Sequence, residues 1–471
     1  MVQIEKVTPN ISNFVKSLRD VGYSYEIAVA DIIDNSITAK ATNIYIYTVP
    51  EPEIVLAILD NGIGMNNQEL VEAMRLASKN PEDKREKNDL GRFGLGLKTA
   101  SFSQCKKLTV ISKKNNKISA KQWDLDFISK KNEWLLISPP KFDYFPLFDE
   151  LNKQDSGTLV IWENLDRFQK QTYSDSIDKL RKHLSLVFHR FLDGSAVFKR
   201  LEISINNNPV KPFNPFNSEH PATQCLSEEK IKLHNSEITV SPYILPHHSK
   251  LSQQEYEQYS TEEGYTKSQG FYLYRANRLL IYGTWWGMHR AIDAHKLVRV
   301  KIDISNSRDD LWGIDIKKSS AAPINEIKTD LKRIIKLITE KGSRPFTGRG
   351  KKIKDNALNR FWHLVPVNGD IRFALNHSHP LYEHLNLRLK KNDFEMLDIY
   401  LKGLQQYLPL EAIQAQLQEN PHQIKQEGIL AKEDIENLVL KLKSAGLSKE
   451  YIDSLLKTEI FKDNEELLLN E

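Results

Sequence analysis

The sequence predicts an α/β sandwich at the N-terminal end, a second mixed unit behind it and a small helical unit at the C-terminal end. Three observations predict this. Between Tyr25 and Phe168, a helical stretch at 27–36 alternates with apolar runs of strand length at 43–48, 54–59 and 107–112. After Gln169, the apolar residues Leu180, Leu184, Val187, Phe188, Phe191 and Leu192 recur on one helical face, and strands at 201–205, 271–274, 278–282 and 298–304 follow. From Leu381 onward, apolar periodicity returns at 394–408, 410–417 and 435–442.

A length of 471 residues suits about three packing units, and apolar and charged fractions of 40% and 27% are those of a folded chain. The net charge of +4 is too small to imply nucleic-acid binding unless the bases cluster. Cys105 and Cys225 are the two cysteines, which excludes a disulfide framework and the four-ligand spacing of a structural zinc site. His247-His248 and the histidines of 377–379 lack companion ligands at metal spacing, so no zinc is expected. No segment approaches the roughly 18 apolar residues of a membrane span, and the first ten residues lack an apolar stretch behind a basic start. The expectation is a cytoplasmic protein with no membrane partner.

Each element then has its own reason. The polar run 78–89, between two glycine signals, is too hydrophilic for a core and resembles a mobile lid. In the second unit Asn206-Asn207-Asn208 closes one strand, and Arg275-Ala276-Asn277 joins 271–274 to 278–282 as a hairpin. A long helix at 324–341 runs into 342–352, where glycines, a proline and bases mark a flexible linker. Arg344, Arg349, Lys351, Lys352 and Lys354 suit either a phosphate backbone or an ordinary solvated linker. Trp285 and Trp286 beside the hairpin are expected to pack rather than to stack on bases.

Three motifs carry chemistry. Asp31 and Asn35 are four apart in the first helix and share a face, with Asp34 close by. A carboxamide oxygen suits Mg²⁺ and a carboxylate can orient a water, although such a pair taken alone is more often an ordinary solvated helix face. Asp60-Asn-Gly-Ile-Gly-Met65 follows an apolar strand; Asp60 can accept from the exocyclic amine of an adenine, and Gly62 and Gly64 let the backbone come close. In isolation it is also an Asp-Asn-Gly turn. Gly91-Arg-Phe-Gly-Leu-Gly-Leu-Lys-Thr-Ala100 opens a helix whose first amides can hold phosphate oxygens, with charge from Arg92 and Lys98. Leu97 between Gly96 and Lys98 breaks the Walker pattern, and Asn67 stands where a dinucleotide fingerprint needs its third glycine.

In this order and spacing the motifs resemble the GHKL superfamily of gyrase B subunits, MutL, histidine kinases and large heat-shock chaperones. Through Ala30-Asp-Ile-Ile-Asp-Asn-Ser36, Asp60 to Met65 and Gly91 to Lys98 the chain is similar to MORC-type and related prokaryotic ATPases. The resemblance implies a Bergerat-type α/β sandwich over 21–168, an S5-like transducer domain over 169–322, a helix and basic linker over 323–355 and a helical C-terminal domain over 356–471, with 1–20 as an exchanged strap. It implies ATP and Mg²⁺ as cofactors, with the metal on Asn35. The nucleotide contacts it implies come from Asp34, Asn35, Asp60, Gly62, Gly64, Met65, Gly91, Arg92, Phe93, Gly94, Leu95, Gly96, Leu97, Lys98, Thr99 and Thr158. A lysine of the second domain, Lys317 or Lys318, should reach the terminal phosphate. The family base is a glutamate. Here it is Asp31, one methylene shorter, so hydrolysis is expected to be slow. The function implied is a nucleotide-gated homodimer clamp on DNA or an effector protein, in repair or defence against phage; the alternative is a nucleotide-binding scaffold.

Overall fold

The computed structural model describes residues 5, 10–76, 78, 90, 91, 94–195, 200–233, 236–261, 264–315, 317, 318, 320–342, 359–367, 370–419, 430–444, 446, 448–461 and 464–469. The expected lid, apart from Ser78, and the expected linker beyond Gly342, with all five of its basic residues, lie outside the described residues. The chain divides into two compact units, one of residues 1–246 and 258–342, the other of 247–257 and 343–471.

In the first unit the elements run α1 (Ile11–Arg19), α2 (Tyr25–Thr38), β1 (Asn43–Val49), β2 (Val55–Asp60), α3 (Asn67–Met74), α4 (Gly96–Gln104), β3 (Lys107–Lys114), β4 (Lys117–Asp124), α5 (Leu125–Lys131), α6 (Phe148–Lys153), β5 (Gly157–Glu163), α7 (Tyr173–Val187), α8 (His189–Leu192), β6 (Glu202–Ile205) and β7 (Asn208–Pro209). These strands form one seven-stranded sheet in the order β4-β3-β5-β2-β1-β6-β7. Side chains alternate across it, as the two-residue period of a strand requires. Leu56, Ile58, Val160 and Trp162 face a core shared with α2, α4 and α7, while Ala57, Leu59, Leu159 and Ile161 face a smaller one closed by Phe145 and Leu151. Both faces are covered, which explains the nearly unbroken apolar reading of β2 and β5.

The helix and strand assigned by pattern to a unit after residue 168 pack here instead. Leu180, Leu184, Val187, Leu201, Ile203 and Ile205 belong to the first core, and β6 pairs in parallel with β1. Helical periodicity finds an apolar face but not the sheet that face covers. Within the expected strap, α1 packs on the first core: Val15 is buried there, and Arg19 and Arg167 pair with Asp166 and Asp20.

A second sheet follows, from β8 (Gln224–Cys225), β9 (Glu229–Leu233), β10 (Ser236–Ile244), β11 (Gly270–Arg275), β12 (Arg278–Thr284) and β13 (Val298–Ile304), with α9 (Gln253–Ser260) before β11 and α10 (Asn325–Gly342) after β13. Its main order is β12-β11-β13-β10-β8, and β9 pairs with β10. One face packs on Ile327, Leu331, Ile334 and Ile338 of α10 and on Trp285 and Trp312. Trp286 stacks on Phe271 at 5.0 Å, so both tryptophans of the pair are structural as expected. On the other face Tyr272, Tyr274 and Leu279 meet Leu186 of α7, which therefore serves both sheets.

The C-terminal unit is not wholly helical. Strands β14 (Trp362–Val367) and β15 (Asp370–Leu375) form an antiparallel hairpin before α11 (Pro380–Arg388), α12 (Lys391–Gln406), α13 (Leu410–Glu419), α14 (Lys432–Ser444), α15 (Lys449–Leu455) and α16 (Glu465–Leu469). Its core is Ile435, Val439, Leu442, Leu455, Phe461 and Leu468.

Candidate ATP site

The site is built on the middle and C-terminal turns of α2, where two clusters receive different partners. At one, β2 delivers Asp60 into a buried position where Oδ2 accepts from the Ser36 hydroxyl at 2.8 Å and Oδ1 from the Gly62 amide at 2.9 Å. Burial pushes the Asp60 carboxyl above its usual range, opposed by those donors. The glycines beyond it are steric necessities. A Cβ on Gly64 would stand 1.9 Å from the Lys113 carbonyl oxygen at φ +63°, and one on Gly62 would stand 2.8 Å from the Ala39 carbonyl oxygen. The Ser112 hydroxyl ties this end together: it accepts from the Met65 amide at 2.8 Å, donates to the Gly157 carbonyl at 3.0 Å and lies 2.9 Å from the Thr158 hydroxyl. Thr158 and Asp60 are register partners on β5 and β2.

In the other cluster, at the middle of α2, Asp31 and Asp34 are buried together. The hydroxyl of Tyr23 donates to Asp31 Oδ2 at 2.9 Å, and Lys318 Nζ donates to Asp31 Oδ1 at 3.2 Å and to Asp34 Oδ2 at 2.5 Å. Arg278 Nε donates to Asp34 Oδ1 at 2.9 Å. Two carboxylates thus face two cations, and both cations come from beyond the second sheet's first strands. Burial raises the Asp31 carboxyl above the usual range against the pull of Lys318; Asp34 is desolvated too, but Arg278 and Lys318 outweigh that and hold it low. Lys318 itself sits at φ +54°, a left-handed conformation unusual for a side chain of this length, and local strain of this kind persists where packing enforces it. Lys317 goes elsewhere, its Nζ 3.5 Å from the Gly22 carbonyl.

Asn35, between these clusters, is exposed and spends its amide nitrogen on the Asp31 carbonyl at 3.0 Å, leaving the side-chain oxygen as a hard donor of the kind Mg²⁺ takes. Next to it α4 begins at Gly96, where a Cβ would come within 3.7 Å of Asp31 Oδ2, so the first amides of this helix open beside the carboxylate. Lys98 does not join them as a free charge. It is 2% exposed, and its Nζ donates to the carbonyls of Ala73 and Gly94 at 2.9 and 2.8 Å, stapling α3 to the loop. Thr99 is buried and bonds back to the Leu95 carbonyl. Arg92 and Phe93 lie outside the described residues.

Residues 23–158 match the family model described as histidine kinase-, DNA gyrase B- and HSP90-like ATPase. This stretch is a GHKL-type ATPase domain. The chain is 33% identical over 96 residues to the mouse ATPase MORC2B, covering 20% of this chain and 9% of that one. It is 29% identical over 119 residues to the Caenorhabditis elegans ATPase morc-1, covering 25% and 14%. It is also 24% identical over 262 residues to the chaperone protein HtpG of Alkaliphilus oremlandii, covering 53% and 37%. The chain therefore spans between about a tenth and two fifths of these relatives' lengths. No described helix is long and apolar enough to cross a membrane.

In the GHKL ATPase domain the sequence motifs pick out the middle and C-terminal turns of α2 and the start of α4 but miss four side chains that organise them: Tyr23, Ser36, Ser112 and Arg278. Ser36 closes the Ala30–Ser36 motif and Tyr23 stands two residues before α2, so both lie within reach of local pattern. Ser112 and Arg278 act across 46 and 244 positions, on Thr158 and Asp34, and no spacing rule reaches that far.

Proposed function

We propose that the chain binds Mg-ATP in this domain, hydrolyses it slowly and uses the cycle to change how the second sheet engages the first. Asp60 receives the adenine amine, with Thr158 behind it and Gly62, Gly64 and Met65 along the base. The first turn of α4, with Gly91, Gly94, Leu95, Gly96 and Leu97, receives the phosphates through backbone amides. Asn35 holds Mg²⁺, which neutralises phosphate charge during transfer. Asp31 orients and deprotonates the attacking water, and Lys318 senses the terminal phosphate. Thr99 and Lys98 support the loop rather than touch the nucleotide.

The observation that carries this reading is Lys318 Nζ at 3.2 Å from Asp31 Oδ1, which puts a cation from beyond the second sheet at the hydrolytic carboxylate. Such a lysine exchanges a carboxylate partner for a phosphate when nucleotide arrives, so occupancy is felt in the second sheet. The same contact favours a second reading. Asp31 already has Lys318 on one oxygen and Tyr23 on the other, so a nucleotide-binding scaffold with negligible turnover has support. In either case the partners are a second copy of the chain when ATP is bound, and DNA or an effector protein as client, in the cytoplasm.

Phosphate release and nucleotide affinity, measured in parallel, separate the two. Asp31→Ala is expected to retain binding and lose turnover by about a hundredfold or more. Asn35→Ala is expected to lose Mg-dependent binding. Equal release by wild type and Asp31→Ala would remove the assigned base.

A further inference from the structure

Arg278 is the first residue of β12, immediately after the two-residue turn Ala276-Asn277, whose φ values of +46° and +70° fit the tight hairpin type that matches strand twist. The turn thereby projects Arg278 out of the second sheet toward α2. The guanidinium is 3% exposed as part of a residue fixed on three sides. Nε donates to Asp34 Oδ1 at 2.9 Å, Nη1 donates to the Leu279 carbonyl at 3.2 Å, and the group lies 5.8 Å over the Phe188 ring. At the other end of the same turn, Arg275 holds Asp309 through two bonds of 2.7 and 2.8 Å and donates to the Leu90 carbonyl at 3.2 Å, at the entry to the Gly91–Lys98 loop.

We propose that Arg278 is a positioning residue for hydrolysis: by occupying Asp34 from the hairpin, it leaves Lys318 shared with Asp31 and so sets the geometry of the hydrolytic carboxylate. This rests on the ATPase reading above. The reason is charge balance in a buried place. Asp34 lies 2.5 Å from Lys318 and 2.9 Å from Arg278, whereas Asp31 has Lys318 at 3.2 Å and Arg278 only at 4.0 Å. Without Arg278 the fully desolvated Asp34 has one cation left, and the attraction at low dielectric draws Lys318 wholly to it. Asp31 then loses Lys318, which is withdrawn from the phosphate end. Because Arg278 and Arg275 bracket one turn, a displacement of the hairpin is transmitted to Asp34 and to Leu90 together. The sheet and the site are thereby connected through two side chains.

The test is steady-state phosphate release and equilibrium ATP binding for wild type, Arg278→Gln, Arg278→Lys and the double variant Asp34→Asn/Arg278→Gln. Arg278→Gln is expected to lower kcat about 30-fold with affinity within about threefold, and Arg278→Lys to recover most of kcat, since a monodentate cation still reaches Asp34. The double variant replaces the ion pair by two neutral amides; it keeps the test standing where a lone buried Asp34 unfolds the single variant, and because no charged Asp34 then competes for Lys318, the lysine stays on Asp31 and kcat is expected to recover to within about threefold of wild type with affinity retained. A folded double variant whose kcat stays about 30-fold below wild type, or equal loss of kcat and affinity in Arg278→Gln with no rescue by lysine, overturns the positioning role. Absence of ATP binding and release in wild type overturns the ATPase reading and this role with it, an outcome distinct from both.

Discussion

At Ser36 and at Asp34, two residues apart on α2, the protein secures a buried carboxylate in opposite ways. Asp60 beside Ser36 is held by neutral donors, a hydroxyl and a backbone amide, all from within the first sheet's own domain. Asp34 and Asp31 are held by charges, Lys318 and Arg278, that arrive from 244 or more positions away. Neutral local donors give a rigid pocket whose form does not depend on the second sheet. Charged distant donors give a site whose geometry changes whenever the second sheet moves. On the proposed function, recognition of the base and cleavage of the phosphate are therefore separable, and substitutions in the two clusters should fail differently.

The largest effect is expected at Gly64. Alanine there places its Cβ 1.9 Å from a backbone oxygen at a positive φ, and neither the strand carrying Lys113 nor Gly157 behind it can give way cheaply. Gly64→Ala should cost about 3 to 5 kcal/mol in denaturant unfolding and abolish nucleotide binding. A variant as stable as wild type would mean that the pocket end is pliable and would break the contrast.

Lys318→Met comes next. Methionine keeps much of the volume but removes the cation, so turnover should fall about a hundredfold while ATP affinity changes little. Affinity falling in step with turnover would place Lys318 among the groups that bind the ground state and erase the separation between the two clusters.

How much of this was legible beforehand depends on sequence distance. The strands at 43–48, 54–59 and 298–304 follow from apolar runs, and the structure reproduces them within two residues. Asp31, Asn35, Asp60, Gly62 and Gly64 emerge because short-range geometry, four residues on a helix or a turn after a strand, determines their neighbourhood. Lys98, expected as a phosphate charge, donates its Nζ to the Ala73 carbonyl 25 positions earlier, a partner that its spacing from the glycines does not reveal. The pairing of Lys318 with Asp31 was approached only through resemblance, and Arg278 not at all, since nothing in a hairpin's pattern says which helix its turn addresses. The β14–β15 hairpin was missed because helical signals on its C-terminal side dominated the reading.

The smallest effects make the sharpest test, because they remove one hydroxyl from each cluster. Ser36→Ala deletes the 2.8 Å bond to Asp60, leaving a buried oxygen without its side-chain donor, and should weaken ATP binding by about five- to tenfold, near 1 kcal/mol, with kcat unchanged. Tyr23→Phe deletes the 2.9 Å bond to Asp31 and should lower kcat by a similar factor with affinity unchanged. Each substitution deletes a hydroxyl donor to one buried carboxylate, so a split between affinity and kcat in the two variants reports where that carboxylate acts. If both altered affinity alone, Asp31 would be a binding group and the scaffold reading would prevail. If Tyr23→Phe altered kcat alone, the tyrosine would be established as orienting the carboxylate that a glutamate, one methylene longer, orients by reach.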